Sequence, residues 1–319
     1  MQEPLRSSQN TYPHLAKAFT YVLSILLPVY KCSCVALVTE LQRQCMECGI
    51  AYEIIVADDG TMADTTNQYI VECNKVIGQL EGVRYIIRQE NVGRSAIRNF
   101  LFSQSKGDRI LFIDGDLSLD NPDFIRRYTQ AESDVVVGGI RIGGKPEQWK
   151  GNLRYKYECT FERKNSLSDR QKRPFQSFRT TNFMVKRAVF VQHPFDEKIT
   201  HYGYEDVLWG KALEENGVQI THINNPITLT NYENNTLFID KTEESLRTLY
   251  EYQMLLKGYS KLLEMKDRMV RFHLVKAILI VNKLFGEKVK KLLQGNKPSV
   301  FLFNVYKLMY YISLEQQAR

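Results

Sequence analysis

The sequence predicts an α/β protein built on a mostly parallel sheet flanked by helices, and three observations carry that reading. Short apolar runs alternate with stretches of helical periodicity, the pattern of strands joined by helical crossovers. Two of those runs stop at acids beside a glycine: Glu53–Ala57 leads into Asp58-Asp59-Gly60, and Arg109–Ile113 into Asp114-Gly115-Asp116. With 319 residues, 44% apolar and 25% charged, the chain can bury the core of one large domain or one and a half.

Taken in order, residues 1–18 are polar and without periodicity, which predicts a loose N-terminal arm. Tyr21–Leu27 reads as a buried strand closed by Pro28, which cannot donate to a ladder. A helix over 33–48, the strand Glu53–Ala57, a helix from about Ala63 to Ile77 and the strand Val83–Ile87 follow. Asn91–Asn99 is a glycine turn entering a helix whose N-terminus can face an anion. The four apolar residues Ile110–Ile113 read as the strand that completes a β-α-β-α-β-α-β run, which implies right-handed crossovers and the architecture of a nucleotide-binding half-domain. A short helix near Pro122 to Gln130 and a strand over Asp134–Ile140 come next. Residues 143–179 are polar and basic with little strand signal, so they are either a functional loop region or helices. Patterning resumes with a strand over Thr180–Val185, a helix over 205–215 that begins with Glu205 and Asp206, and a strand over Gln219–Ile223 before the turn Asn224-Asn225-Pro226. From Lys241 onward the pattern is helical, with breaks near Gly258, Gly286 and Gly295–Pro298 and a basic amphipathic helix over 267–293. The expected organisation is therefore an arm (1–18), a sheet domain (19–240) and a helical C-terminal extension (241–319).

The acids at strand ends point to chemistry. Ligands of open α/β sheets bind outside the carboxyl ends of the strands, so Asp114 and Asp116 project into that crevice. Two carboxylates there suit a hard cation, Mg²⁺ or Mn²⁺, shared with phosphate oxygens. An Asp-Gly turn with no ligand is the plain alternative. Net charge is +7, and the excess is C-terminal: residues 241–319 hold 15 Lys and Arg against 7 Asp and Glu, the rest 28 against 29. These basic residues are interleaved with Leu, Ile and Phe rather than with a base-reading motif, which argues against nucleic acid and for an anionic membrane surface, or for packing against the sheet domain. No apolar run reaches the length of a membrane span and no signal peptide is recognisable, so a cytoplasmic protein is expected. The spacings of Cys32, Cys34, Cys45 and Cys48 formally allow a zinc site, but one helix carrying both pairs cannot easily wrap a tetrahedral ion, and reduced thiols are expected instead.

Four motifs stand in one order: Pro28-Val29-Tyr30, Asp58-Asp59-Gly60, Asp114-Gly115-Asp116 and Tyr204-Glu205-Asp206. Together, from about Val22 to Asn235, they resemble a family 2 glycosyltransferase of the GT-A (Rossmann-like) fold, and Asn91–Asn99 resembles that family's Asn-x-Gly-x-x-x-Ala-Arg-Asn segment, with Ile97 where Ala is usual. The resemblance implies transfer of a sugar from a nucleoside diphosphate such as UDP to an acceptor hydroxyl with inversion, in polysaccharide or glycolipid assembly. It implies a donor site of Pro28, Tyr30, Asp59 at the base, Asp114 and Gly115 at the ribose, and Arg98. Asp116 is implied as ligand of a divalent metal, Asp206 as general base, and Glu205 as its neighbour toward the acceptor. Partners implied are a nucleotide sugar and a carbohydrate or glycolipid acceptor; the basic tail separately suggests a peripheral contact with the inner face of a membrane. A helix N-terminus is expected to lower the Asp206 pKa and make it a weak base unless it is desolvated. The alternative is a nucleotide-sugar-binding scaffold without turnover; a nucleotidyltransferase would need a glycine- and basic-rich loop where Tyr30-Lys-Cys-Ser-Cys34 stands. One departure stands out: many relatives carry a metal-binding histidine after an Asn-Pro turn, whereas Asn225–Asn231 has none, and His222 before the turn is expected to be structural.

Overall fold

The computed structural model describes residues 22–317; the expected loose arm lies outside them. The first half follows the sequence closely: β1 (Leu23–Val29), α1 (Val35–Cys48), β2 (Tyr52–Asp58), α2 (Gln68–Asn74), β3 (Val83–Ile87), α3 (Arg94–Gln104), β4 (Arg109–Ile113) and α4 (Phe124–Thr129). β1 runs past Pro28, which stays in the strand because its carbonyl, not the missing N–H, makes the useful bond, accepting from Gly115 N. The helix expected over 63–77 is instead α2 between two 3₁₀ turns, Thr61–Ala63 and Lys75–Gln79.

The second half brings β5 (Val135–Val137), β6 (Ile140–Ile142), α5 (Leu153–Arg163), α6 (Leu167–Lys172), β7 (Asn182–Lys186), α7 (Arg187–Gln192), α8 (Glu205–Glu215), β8 (Ile220–His222) and β9 (Ile227–Leu229). The strand expected over 134–140 is split at Gly138-Gly139. A Cβ on Gly138 would lie 2.4 Å from Asn225 O, and Gly139 has φ +94°. The chain bends there, so that β6 leaves the main sheet and pairs in parallel with β9, a strand the sequence reading missed. Residues 143–179 are two short helices; Asn152 caps α5 and a Ser166–Asp169 capping box starts α6.

The main sheet has the order β3-β2-β1-β4-β7-β5-β8. Its strands are parallel except β7, which is antiparallel to both β4 and β5. Both faces are covered, which is why the strands read as continuous apolar runs. Leu23, Ile25 and Leu27 pack with α1 and α4 on one face, while Leu26, Ile110 and Phe112 pack with α3, α7 and α8 on the other. The order in which successive strands are laid down reverses between β1 and β4, which are parallel, and such a switch point leaves a crevice at their carboxyl ends.

The tail is α9 (Asn235–Glu251), α10 (Lys261–Arg271), α11 (Val275–Gln294) and α12 (Val300–Gln317). Helix α9 begins before Lys241, so residue 240 lies inside it. The single helix expected over 267–293 is broken at Phe272–Leu274, where His273 takes φ +57°, and Gly286 sits buried within α11 rather than ending it.

Two left-handed glycines should respond differently to substitution. At Gly60 (φ +85°) a Cβ would meet Asn91 N and Glu90 C at 2.5 Å, whereas Gly49 (φ +62°) has open space around it. We expect Gly60→Ala to lose about 3 kcal/mol or more, combining backbone strain with overlap, and Gly49→Ala only about 1 kcal/mol. Urea unfolding of both variants checks this; equal losses would show that the clash at Gly60 is relieved by movement of the 90–91 loop.

Candidate active site

The turn after β4 is pinned on both sides. Asp114 N donates to Thr181 O (3.1 Å) at the start of the reversed strand β7, and Gly115 N donates to Pro28 O (3.2 Å) at the end of β1. Only a glycine fits at 115, because a Cβ would come within 2.5 Å of Val29 Cγ2. The Asp114 carboxylate accepts from Arg98 Nη2 at 2.6 Å, and Arg98, 1% exposed, also donates through Nη1 to Arg94 O. Asp116, two residues on, keeps a solvent-exposed surface while protein crowds around its carboxylate. That crowding and the neighbouring Asp114 raise its pKa, against which Arg154 and Arg94 act.

Asp58 and Asp59 part company at the end of β2. Asp58 is fully buried and accepts from Thr61 N and the Tyr85 hydroxyl, so it closes its own turn. Asp59 accepts from Val92 N (3.1 Å) and Gly93 N (3.2 Å), holding the loop that enters α3. Burial raises its pKa and those two amides oppose the rise. A carboxylate has about four acceptor positions, so these bonds leave room for a ligand donor. Pro28 is half-buried, and Tyr30, 46% exposed, stands just beyond β1 with Lys31 Nζ 4.9 Å from its ring centre.

The acids of α8 follow a strained turn. Gly203 (φ +97°) and Tyr204 (φ +67°) both lie in the left-handed region just before the helix. Such strain in a tyrosine persists only where the surroundings over-determine it. Here α9 does so: Tyr202 N donates to Glu244 Oε1, Thr248 Oγ1 donates to Tyr202 O, and a Cβ on Gly203 would strike Ser245. Glu205 is buried and pairs with Arg94 Nη1 at 3.4 Å, while Arg94 lies 4.6 Å over the Tyr202 ring. Burial disfavours the Arg94 charge, but Tyr202, Glu205, Asp114 and Asp116 together outweigh it and raise its pKa. One guanidinium therefore couples both acid pairs electrostatically.

Asp206 is half-buried, and its pKa is raised to about 6 by burial and by Glu205, with Arg179 and Arg94 opposing. This corrects the expectation of a lowered value: desolvation and a like charge overcome the helix N-terminus, and the group becomes a base matched to neutral pH.

Sequence reasoning missed Arg94, Arg154 and Arg179. Arg154 sits in the first turn of α5 and is ion-paired with Glu233; Arg179 lies over Phe161 at 3.9 Å and reaches Glu158 at 3.5 Å. The helix signals Asn152 and Ser166-x-x-Asp169 could have placed the first of them. His222 is 2% exposed, and both its nitrogens are engaged: Nδ1 with Arg170 Nη1 (3.1 Å) and Nε2 with Pro174 O (2.8 Å). Burial lowers its pKa to about 4, so it is a neutral, structural imidazole. Among the described residues no group of three or more His, Cys, Asp or Glu is placed to hold a metal. What the site does offer a hard cation is Asp116 beside Asp114, a partial donor set that fits a metal whose remaining ligands are phosphate oxygens and water.

Comparison with known proteins bears on the family and the fold. The model of the family described as Glycosyl transferase family 2 matches residues 24–193. An undecaprenyl-phosphate 4-deoxy-4-formamido-L-arabinose transferase of Pseudomonas aeruginosa is 30% identical over 133 residues, 40% of this chain and 38% of that protein. The Aeromonas hydrophila protein of the same name is 29% identical over 128 residues, 38% of this chain and 37% of its own length. The chain thus spans less than two fifths of these curated relatives. The mannosyltransferase PcManGT from Pyrobaculum calidifontis, solved in complex with GDP-Man and Mn²⁺, shares the fold with a TM-score of 0.54 at 10% identity, over 93% of this chain and 86% of that one. The sheet is that of the GT-A fold, and with more than half of its residues under the family match the chain belongs to glycosyl transferase family 2.

Proposed function

We propose that this glycosyltransferase moves a sugar from a nucleoside-diphosphate donor to an acceptor hydroxyl with inversion. The observation that carries the reading is the Arg94 guanidinium, paired with Glu205 at 3.4 Å and acted on by Asp114 and Asp116, which brings the acids of α8 and those after β4 to one site, where Asp206 is raised to about 6. The donor would lie over β1 and β2, with Tyr30 and Asp59 at its base, Asp114 and Gly115 at its ribose, and Arg98 fixing Asp114. A divalent metal held by Asp116 would supply positive charge at the diphosphate as it leaves. Asp206 Oδ takes the proton of the acceptor hydroxyl while that oxygen bonds the anomeric carbon and the carbon–phosphate-oxygen bond breaks, its electron pair going to the diphosphate. Attack opposite the leaving group inverts the centre. Glu205, held by Arg94, keeps the Asp206 pKa high and faces the acceptor. No sugar or base is singled out by these groups; a glycan or glycolipid acceptor is the class proposed, and retention of the pocket without turnover is the competing account.

The name shared by the curated relatives raises a second reading, a lipid-phosphate acceptor. A phosphate monoester is already an anion at neutral pH and needs no base, so Asp206 separates the two. We expect Asp206→Asn to lower kcat by about 10³ or more, through loss of the base and of its orientation of the acceptor, while nucleotide binding in thermal shift stays unchanged. The wild-type rate should fall as pH drops through about 6. The folded pKa lies above the unfolded one, so protonation stabilises the fold: Asp206→Asn should be more stable than wild type at pH 8, and that gain should vanish by pH 4. Near-normal transfer by the variant would favour the phosphate acceptor, and wild-type nucleotide-sugar binding without hydrolysis or transfer under any divalent metal would favour the scaffold.

The tail suggests where the enzyme works. Among the described residues no helix is long and apolar enough to cross a membrane. Yet the outward side of α11 exposes Leu274, Ile280, Val281, Leu284 and Phe285, with Phe272 just before it, and Lys276, Lys283, Lys288 and Lys291 lie among and around them. A helix apolar on its outer as well as its inner side needs a cover, and the lysines commit that cover to an anionic bilayer surface. This reading puts the enzyme at the inner face of a membrane. The protein should float with phosphatidylglycerol vesicles and not with neutral phosphatidylcholine ones, and Leu284→Ser with Phe285→Ser should abolish flotation without lowering Tm. Equal flotation on both lipids, or none on either, contradicts the bilayer assignment.

A further inference from the structure

We infer that Thr248, on the first helix of the C-terminal tail, is a positioning residue for Asp206, acting through the backbone of the turn that presents the base rather than on substrate. The inference rests on the transferase reading above, in which Asp206 is the general base.

Asp206 follows a turn whose backbone is outside its preferred region. Gly203 has φ +97° and Tyr204 φ +67°, and an unsupported tyrosine leaves the left-handed region for extended or right-handed backbone. Such a relaxation would swing the start of α8, because Tyr204 is its N-cap and Tyr204 O accepts from Leu208 N at 2.9 Å. The Asp206 carboxylate would move with it, since Oδ1 accepts from Val207 N in the same turn at 2.8 Å.

Helix α9 supplies the support. Tyr202, just ahead of the turn, is gripped at both backbone groups: its N–H donates to Glu244 Oε1 at 2.9 Å, and its carbonyl accepts from Thr248 Oγ1 at 3.1 Å. Glu244 and Thr248 stand one helical turn apart, so they share a face and reach the same residue. Between them Ser245 walls off Gly203, where a Cβ would come within 2.6 Å of the serine Cβ. Tyr204 packs against the cluster that holds Leu246 and Leu249 of α9 and Tyr311 of α12.

Of the two grips, Thr248 is the protected one. It is 1% exposed, whereas Glu244 is open to solvent and also within 3.8 Å of His201. A threonine inside a helix commonly gives its hydroxyl to the carbonyl four residues back. Here that carbonyl, Glu244 O, lies at 3.3 Å, and the shorter bond crosses to Tyr202. The Tyr202 ring carries the grip onward: Arg94 lies 4.6 Å over it and pairs with Glu205, the neighbour of Asp206, at 3.4 Å. Behind α9, Glu243 takes Lys290 of α11 at 2.7 Å and the Tyr306 hydroxyl of α12 at 2.5 Å, which keeps the helix from sliding under the turn.

The test separates presentation of the base from donor binding and from folding. Release of nucleoside diphosphate from UDP-glucose, UDP-N-acetylglucosamine and GDP-mannose, with Mn²⁺ and with water as acceptor, would be followed for the full chain as wild type, Thr248→Val, Thr248→Ser and Glu244→Leu. On whichever donor turns over, Thr248→Val, which keeps the shape and loses the hydroxyl, should lower kcat about tenfold or more, the turn then holding the competent geometry a tenth of the time. Donor KM, and UDP or GDP affinity by isothermal titration, should stay within about twofold, because Asp114 and Gly115 are pinned by Arg98, Thr181 and Pro28 instead. Thr248→Ser, which keeps the hydroxyl, should recover the rate to within about threefold of wild type. Glu244→Leu removes the other grip at an exposed position, where folding is safe, and should show the same split between kcat and KM. A kcat within twofold of wild type in both Thr248→Val and Glu244→Leu, a loss of donor affinity in step with kcat, or Thr248→Ser no faster than Thr248→Val overturns the assignment. Asp206→Asn as fast as wild type would instead bring down the choice of base, and no release by wild type from any donor the transferase reading, each taking this inference with it.

Discussion

The structure of the crevice depends on one buried ion pair, Arg98 with Asp114. Arg98 lies one turn into α3 and Asp114 at the last step of β4, so the 2.6 Å bond between them fixes the helix to the strand end. Its second nitrogen holds Arg94 O, which sets the start of α3. Asp59 catches Val92 N and Gly93 N from the other direction, and Gly115 N reaches Pro28 O. The ends of β1, β2 and β4 and the first turn of α3 are thereby held as one unit. A pair of this kind need add little net stability, since both charges are taken from water, but removing one partner leaves the other uncompensated. Its value lies in position: the turn carrying Asp116 cannot shift without breaking it.

From that frame the chemistry follows by separating acids. Asp114 is tied to Arg98 and placed to accept from a ligand, whereas Asp206, crowded by burial and by Glu205, is pushed to a pKa of about 6. Two carboxylates in different surroundings can take different roles, one for binding and one for proton transfer. Arg94 spans both groups, paired with Glu205 and within the field of Asp114 and Asp116, so the acids after β4 and those at the start of α8 share an electrostatic environment. The tail contributes to this site as well as to the surface: α9 holds the strained Gly203-Tyr204 turn from which Asp206 is presented, and Tyr306 of α12 donates to Glu243 of α9 at 2.5 Å behind it.

Much of this was legible in the sequence because parallel strands buried on both faces leave continuous apolar runs, and acids at their ends stand out against them. β3 and the helix start at Glu205 were placed to the residue, and β4 to within one. The less legible parts share a cause: their conformation is set by contacts distant in sequence. Gly138 splits a strand because Asn225 O and the Tyr128 hydroxyl leave no space for a side chain. β9 is three residues long and exists because β6 has been freed to pair with it. The Arg154–Glu233 pair gave no signal because its partners are 79 positions apart. The raised Asp206 pKa likewise comes from packing, which local helix electrostatics could not report.

A double-mutant cycle on the buried pair tests the central claim most directly. Unfolding free energies of Arg98→Met, Asp114→Asn and the combined variant would be measured beside wild type by urea titration. The account predicts that Arg98→Met alone costs about 2–3 kcal/mol, somewhat below the full penalty for a buried pair because Asp114 is partly exposed, and that the combined variant recovers part of the loss. Additive losses, or an Arg98→Met protein as stable as wild type, would contradict the view that this pair holds the crevice together.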